Sequence, residues 1–301
     1  MVSYPKLSKE QQITLPELIR ATPLPSLYDD STHQLWDCET KQGDLILKVC
    51  NKRNVKQSSF WQGMNTLFAV DLTKQLGEFQ SVYTKVAKFG LLNIPDYIAS
   101  SSIAEKGPAF IACKKLAGSM VMPTDINKGM VRQLAGHIAV LHQHQQKSWG
   151  QISHPKFDAI QWPSRLQNSL IQLAKDNHAI PIKLLDEVVE QAGKIKVENF
   201  VPVMVDLRWD QFLQQDGIIN ALVDLDAFVF APRELEWVLL EYLLDQQQMS
   251  EFCKAYQQIV TAPDLSQVRK PYRLLLFLMN VLGAKSIEQW MLSPELCDNH
   301  Q

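Results

Sequence analysis

Residues 201–236 read VPVMVDLRWDQFLQQDGIINALVDLDAFVFAPRELE. Two apolar runs in this stretch, PVMV and INALV, each lead into an aspartate, Asp206 and Asp224, and Asp226 follows two residues later. Runs this rich in β-branched and apolar residues read as short strands. Asp216-Gly217 between them reads as a hairpin turn. Side chains alternate along a strand, so Asp224 and Asp226 fall on one side if the strand continues. The expectation is one hairpin whose strand ends bring the carboxylates together. A single Asp after an apolar strand is ordinarily a turn residue or a helix cap. A pair of them also suits phosphoryl transfer, where one carboxylate takes or orients a hydroxyl proton and another holds Mg²⁺ against nucleotide phosphates.

Upstream, residues 26–29, 34–38 and 44–49 read as a three-strand meander, with Lys41-Gln42-Gly43 turning between the second and third. Residues 15–21 read as a short helix ended by Pro23. Residues 58–89 turn helical. Phe79, Val82, Tyr83, Val86 and Phe89 lie at three/four spacing on one face, and Gly90 closes that helix. Residues 95–99 and 109–113 complete a sheet of about five strands. Beyond Gly118 helices are expected over 131–142, 162–173, 182–192, 235–244, 251–260 and 272–282. The plan is a small sheet-rich lobe, a link at 114–118, and a larger helical lobe containing one hairpin. Sites between two such lobes commonly hold ligands.

The 301 residues are 46% hydrophobic and 21% charged, which is globular composition. A net charge of -2 gives no basic face, so no nucleic-acid partner is expected. The most apolar stretch, 274–282, falls far short of the roughly 20 residues a membrane span needs, and no membrane association is expected. The first twelve residues lack the apolar core of a secretory signal. Cys38, Cys50, Cys113, Cys253 and Cys297 form no CxxC pair and read as reduced thiols of a cytoplasmic protein.

The stretch around the aspartates resembles the catalytic hairpin of the aminoglycoside phosphotransferase, choline kinase and fructosamine kinase family. That family carries His-Gly-Asp, an Asn five residues on, and an Ile-Asp-Trp-Glu-like strand end. The matching residues here are Met204-Val205-Asp206, Gln211 and Val223-Asp224-Leu225-Asp226. The likeness runs from about Ser26 to Leu244. It implies an α+β, two-lobed protein-kinase-like fold, with a nucleotide-binding lobe at 1–115 and a helical lobe at 116–301. It further implies ATP and Mg²⁺ as cofactors and a small-molecule hydroxyl compound as acceptor.

Carried over residue by residue, Asp206 is the catalytic carboxylate and Asp224, Gln211 and Asp226 are metal ligands. Lys48, at the end of DLILKV, contacts nucleotide phosphates. Glu78, in the first turn of the helix that follows, is its ion-pair partner. Ser31 is the tip of a glycine-free phosphate loop, Asp29 to His33. The backbone around Lys114 and Leu116 holds adenine. Two positions depart from the pattern: Met204 stands where the family has His, and Gln211 where it has Asn. These departures motivate an alternative, a catalytically degraded kinase-like protein that binds a nucleotide or metabolite. Glu241, Tyr242, Asp245 and Trp290 lie where relatives build the acceptor pocket. His142 and His144 stand two apart, which does not suit one helix face, and read as structural or surface residues.

Overall fold

Alternation along HQLWDCET sends Trp36, Cys38 and Thr40 to one face of a strand and His33 and Leu35 to the other. The computed structural model describes residues 2–26, 31–102, 107–175 and 177–296. Its first sheet is antiparallel and five-stranded: β1 (Leu18–Pro23), β2 (His33–Thr40), β3 (Leu45–Cys50), β4 (Tyr97–Ser101) and β5 (Phe110–Lys114), in the order β1-β2-β3-β5-β4. Trp36, Cys38, Leu45, Leu47 and Val49 form a small outer core, covered by Tyr4, Leu7 and Leu15 from the N-terminal segment. The inner face carries Lys48, opposite Leu35, and Cys50, opposite His33.

The helix expected over 15–21 is strand β1 instead. It is an edge strand in which only Leu18 is buried, so its apolar residues show no clean alternation, and Leu15, Leu18 and Ile19 mimic helical spacing. The strand expected over 26–29 lies outside the described residues from 27 onward, and Ser26 follows β1 without joining the sheet.

Between β3 and β4 run the helices Lys52–Gln57, Ser59–Phe68, Leu72–Gln75 and Phe79–Phe89. Asn51, Ser58 and Asp71 cap the first three through their side chains. The helix Ser59–Phe68 leaves the sheet and packs on the helical lobe. Phe68 lies 6.2 Å from the Trp149 ring and 6.1 Å from the Trp162 ring. Arg165 donates to the Leu67 and Thr66 carbonyls at 3.0 and 2.6 Å and covers the Phe157 ring at 4.0 Å. One continuous core therefore runs from Val55 and Met64 to Tyr272 and Trp290.

The helical lobe holds two small sheets. β6 (Ser119–Met120), β10 (Phe212–Gln215) and β11 (Ile218–Leu222) pair in the order β11-β10-β6; β7 (Ser148–Gln151), β8 (Phe157–Asp158), β9 (Val201–Met204) and β12 (Phe228–Ala231) pair in the order β8-β7-β12-β9. The hairpin is β10–β11, turning at Asp216 (φ 54°) and Gly217 (φ 76°), the positive-φ pair of a tight hairpin. The apolar run before Asp206 belongs to the other sheet, where Met204 pairs with Phe228. The carboxylates therefore come together from two sheets rather than from one hairpin. Helices Lys128–Gln143, Trp162–Ala174, Ile182–Ala192, Arg233–Leu243, Gln246–Tyr256 and Arg269–Leu278 surround them. Among the described residues no helix is long and apolar enough to cross a membrane.

Candidate active site

Strand β9 is buried along its length and delivers the chain to Asp206. A fully buried polar network sets its end. Glu236 Oε1 accepts the Met204 backbone N–H at 2.9 Å, and Glu236 Oε2 lies 2.9 Å from His142 Nε2. His142 Nδ1 lies 2.8 Å from the Tyr256 hydroxyl. An imidazole does stand beside the start of the loop, His142 from helix Lys128–Gln143, while Met204 fills apolar core.

Beyond it, Gln211 donates its side-chain amide to Asp206 Oδ2 at 3.1 Å and accepts the Arg208 N–H on Oε1 at 3.1 Å. The oxygen expected to face a cation is turned to the backbone, and the side chain supports Asp206 instead. Asp206 Oδ1 is buried with no hydrogen-bond partner among the described residues.

From the other lobe, Lys48 reaches Asp224 Oδ1 at 2.9 Å and Asp226 Oδ2 at 3.9 Å. Asp224 keeps 32% of its side chain accessible, whereas Lys48 and Asp226 are nearly closed off. His33 Nδ1 lies 3.5 Å from Asp226 Oδ2. Asp226 Oδ1 and His33 Nε2 are buried without partners among the described residues.

Three carboxylates against one lysine split their titrations. Burial first, and the Asp224 charge second, push the Asp206 carboxyl up to about 7. Burial also leads in raising Asp226 to about 7, against the pull of Lys48 and with the help of Asp224 and Asp206. Burial works to raise Asp224 too, but the Lys48 charge and hydrogen bond outweigh it and bring Asp224 down to about 2. For Lys48, burial acts to lower its value, and the two aspartates overcome this and raise it. Burial, then Lys48, lower His33 to about 4. The cluster holds more negative charge than Lys48 neutralises, which is an environment that favours a further cation.

No protein-family model and no curated protein matches the sequence. Solved structures do match. One described as a fructosamine-3-kinase from Haemophilus somnus superposes over 94% of this chain and 92% of its own, at 16% identity and a TM-score of 0.62. A macrolide 2′-phosphotransferase from Brachybacterium faecium covers 91% and 92%, at 13% identity and 0.56. The GDP and kanamycin complex of an aminoglycoside 2″-phosphotransferase covers 93% and 92%, at 14% identity and 0.55.

The chain has the fold of the small-molecule kinases. Within this kinase-like fold, Asp206, Asp224, Asp226, Lys48 and Gln211 gather where the five-stranded sheet meets the helical part. Glu78 does not join them: it is more than half exposed and pairs with His154 at 3.2 Å, so the expected Lys48–Glu78 pair is absent. The reason is local. Glu78 ends a short 3₁₀ turn at the start of helix Phe79–Phe89, whose inward residues are Phe79, Val82, Tyr83 and Val86.

Ser31 precedes β2, with its hydroxyl donating to the His33 carbonyl at 3.1 Å; Asp29 and Asp30 lie outside the described residues. Lys114 ends β5, its exposed ammonium 3.6 Å from Asp96. Leu116 makes no backbone hydrogen bond among the described residues, which leaves its N–H and C=O available to a base.

Glu241 and Trp290 are turned inward. Arg269 and Arg273 bind Glu241 at 3.2 and 2.9 Å, and Trp290 stacks on Tyr242 at 3.7 Å. Asp245 caps helix Gln246–Tyr256. The sequence alone marks His33 only as the end of the phosphate loop and does not join Glu236, His142 and Tyr256 in one network. A histidine opening a strand and a glutamate in the first turn of a helix carry no pattern of their own.

Among the described residues no three His, Cys, Asp or Glu side chains converge as a ready metal cage. The donor set fits magnesium nonetheless, since that ion takes one or two carboxylates and completes its shell with phosphate and water. The partnerless Asp226 Oδ1 and the part-open Asp224 are such carboxylates.

Proposed function

We propose that this chain is a phosphotransferase that moves the terminal phosphate of ATP to a hydroxyl of a small molecule. The observation that carries the reading is the Lys48–Asp224 contact at 2.9 Å. It joins the strand lysine of one lobe to the strand-end aspartate of the other, beside an Asp206 that has an unengaged oxygen. Magnesium held by Asp224 and Asp226 would supply charge neutralisation for the donor phosphates.

The chain's own groups account for the remainder. Lys48 provides the positive charge that anionic phosphates require. Asp206, raised to about 7, is matched to taking a proton from a hydroxyl near neutral pH. Gln211 fixes the orientation of that carboxylate. The link at 114–116, with free backbone groups at Leu116, suits an adenine ring.

A thermal-shift titration with ATP, with and without Mg²⁺, tests the reading. Ligand at about 100 times its dissociation constant stabilises by roughly 2.7 kcal/mol, a shift of several degrees for a chain of this size. A magnesium-dependent shift that disappears in Asp224→Ala supports the proposal. An equal shift in Asp224→Ala sinks it. Nucleotide binding with no transfer to any acceptor favours the degraded, binding-only protein, which the engagement of the Gln211 oxygen by Arg208 also favours.

A further inference from the structure

In kinase chemistry the phosphate-contacting lysine is steadied by a glutamate on the following helix. Here that helix turns Phe79, Val82, Tyr83 and Val86 inward, and Glu78 sits at the surface on His154. Lys48 is nevertheless held, and both of its carboxylates come from the helical lobe, Asp224 at 2.9 Å and Asp226 at 3.9 Å. Asp226 in turn has a second neighbour from the sheet lobe, His33 at 3.5 Å. His33 opens β2 on the inner face of the sheet; Cys50 is its cross-strand partner and Lys48 lies two residues from Cys50. His33 and Asp226 are each at least nine-tenths buried, and each keeps a polar atom with no partner among the described residues. The Lys48–Asp226 contact at 3.9 Å keeps, away from water, electrostatic strength that a surface pair loses, and His33, neutral at pH 7, can offer Asp226 a ring N–H across 3.5 Å.

We propose that Asp226 takes the place of the helix glutamate as the second anchor of Lys48, and that His33 is the positioning residue that holds Asp226 there. The inference rests on the phosphotransferase reading. It deepens that reading by assigning the alignment of Lys48 to a His33–Asp226 contact between the sheet and the helical part.

Calorimetric titration of Mg·ATP and of AMP into the full chain and its variants tests it. His33→Ala is expected to weaken Mg·ATP by about tenfold or more, in line with the usual cost of removing the partner that supports a metal-ligating side chain. AMP, which lacks the outer phosphates, is expected to bind as in wild type. His33→Asn, which keeps a donor for Asp226, is expected to recover most of the loss, and it carries the test if the alanine variant melts. The double variant His33→Ala/Asp226→Asn is expected to bind no more weakly than Asp226→Asn alone. Glu78→Ala is expected to bind ATP like wild type. Additive losses in the double variant, or unchanged ATP affinity in His33→Ala, overturn the inference while the phosphotransferase reading stands. A wild-type chain that binds no ATP overturns both.

Discussion

His142 Nε2 lies 2.9 Å from Glu236 Oε2, and neither side chain reaches solvent. The pair fixes the start of the Asp206 loop, because the other oxygen of Glu236 holds the Met204 N–H. Glu236→Ala removes acceptors from two buried donors at once. A loss of about 3 kcal/mol or more is expected, read by urea unfolding. A change below ~1 kcal/mol would show that the network is not needed.

Asp206→Asn separates stability from chemistry. The folded Asp206 titrates near 7, above its ordinary value of 3.8. The folded state therefore binds the proton more tightly than the unfolded chain. Stability from this group is present below about pH 4 and is lost as pH rises towards 7. The amide removes that loss, so the variant is expected to melt a few degrees higher at pH 7.5, and to match wild type at pH 4. Phosphate transfer is expected to fall by about 10²–10⁴-fold. A variant that melts lower at pH 7.5 would count against the buried charge.

His137 produces the opposite slope. Its Nδ1 accepts the Leu91 and Leu92 N–H groups at 3.0 and 3.3 Å, so the ring is held neutral, and burial lowers it from 6.5 to about 4. Stability from this group is full above about pH 6.5 and is lost as pH falls towards 4. The loss approaches about 3 kcal/mol. His137→Asn keeps an acceptor and does not titrate, so its stability is expected to change less than wild type across that window. Parallel pH profiles would refute the assignment.

Gly90→Ala is expected to cost about 1–3 kcal/mol. The residue has φ −101°, so it is not needed for a left-handed cap, which the sequence had suggested. It is needed for space: an added Cβ would lie 2.3 Å from His137 Cε1. Thermal denaturation of Gly90→Ala beside the double variant Gly90→Ala/His137→Ala tests this. The two costs should be markedly less than additive.

Where apolar pattern and special residues spoke together, the sequence was legible. The helix Ile182–Ala192 has the bounds its spacing predicts, and the lysine of DLILKV and the aspartates after PVMV and INALV meet where the sheet joins the helical part. Partnership was less legible. A four-residue strand such as β9, buried on both faces, shows no alternation that tells it to pair with β12 rather than β11. Position on a helix misled as well. Glu78 is close in sequence to the inward face of Phe79–Phe89, but it lies in the 3₁₀ turn before it. His33 was legible only as the last residue of the expected phosphate loop, and nothing in its neighbours pointed to Asp226.

The helix Ser59–Phe68 bears on how the molecule comes apart. It belongs in sequence to the sheet-bearing half, yet Trp61, Met64, Leu67 and Phe68 are buried in the core shared with the other half, and Gly63 lies against Met279. The shared core leads us to expect that the two lobes do not fold separately. Heating should unfold them in a single cooperative step. A fragment cut after residue 115 would leave those four apolar side chains without their partners, and is expected to aggregate rather than to fold as a nucleotide-binding domain.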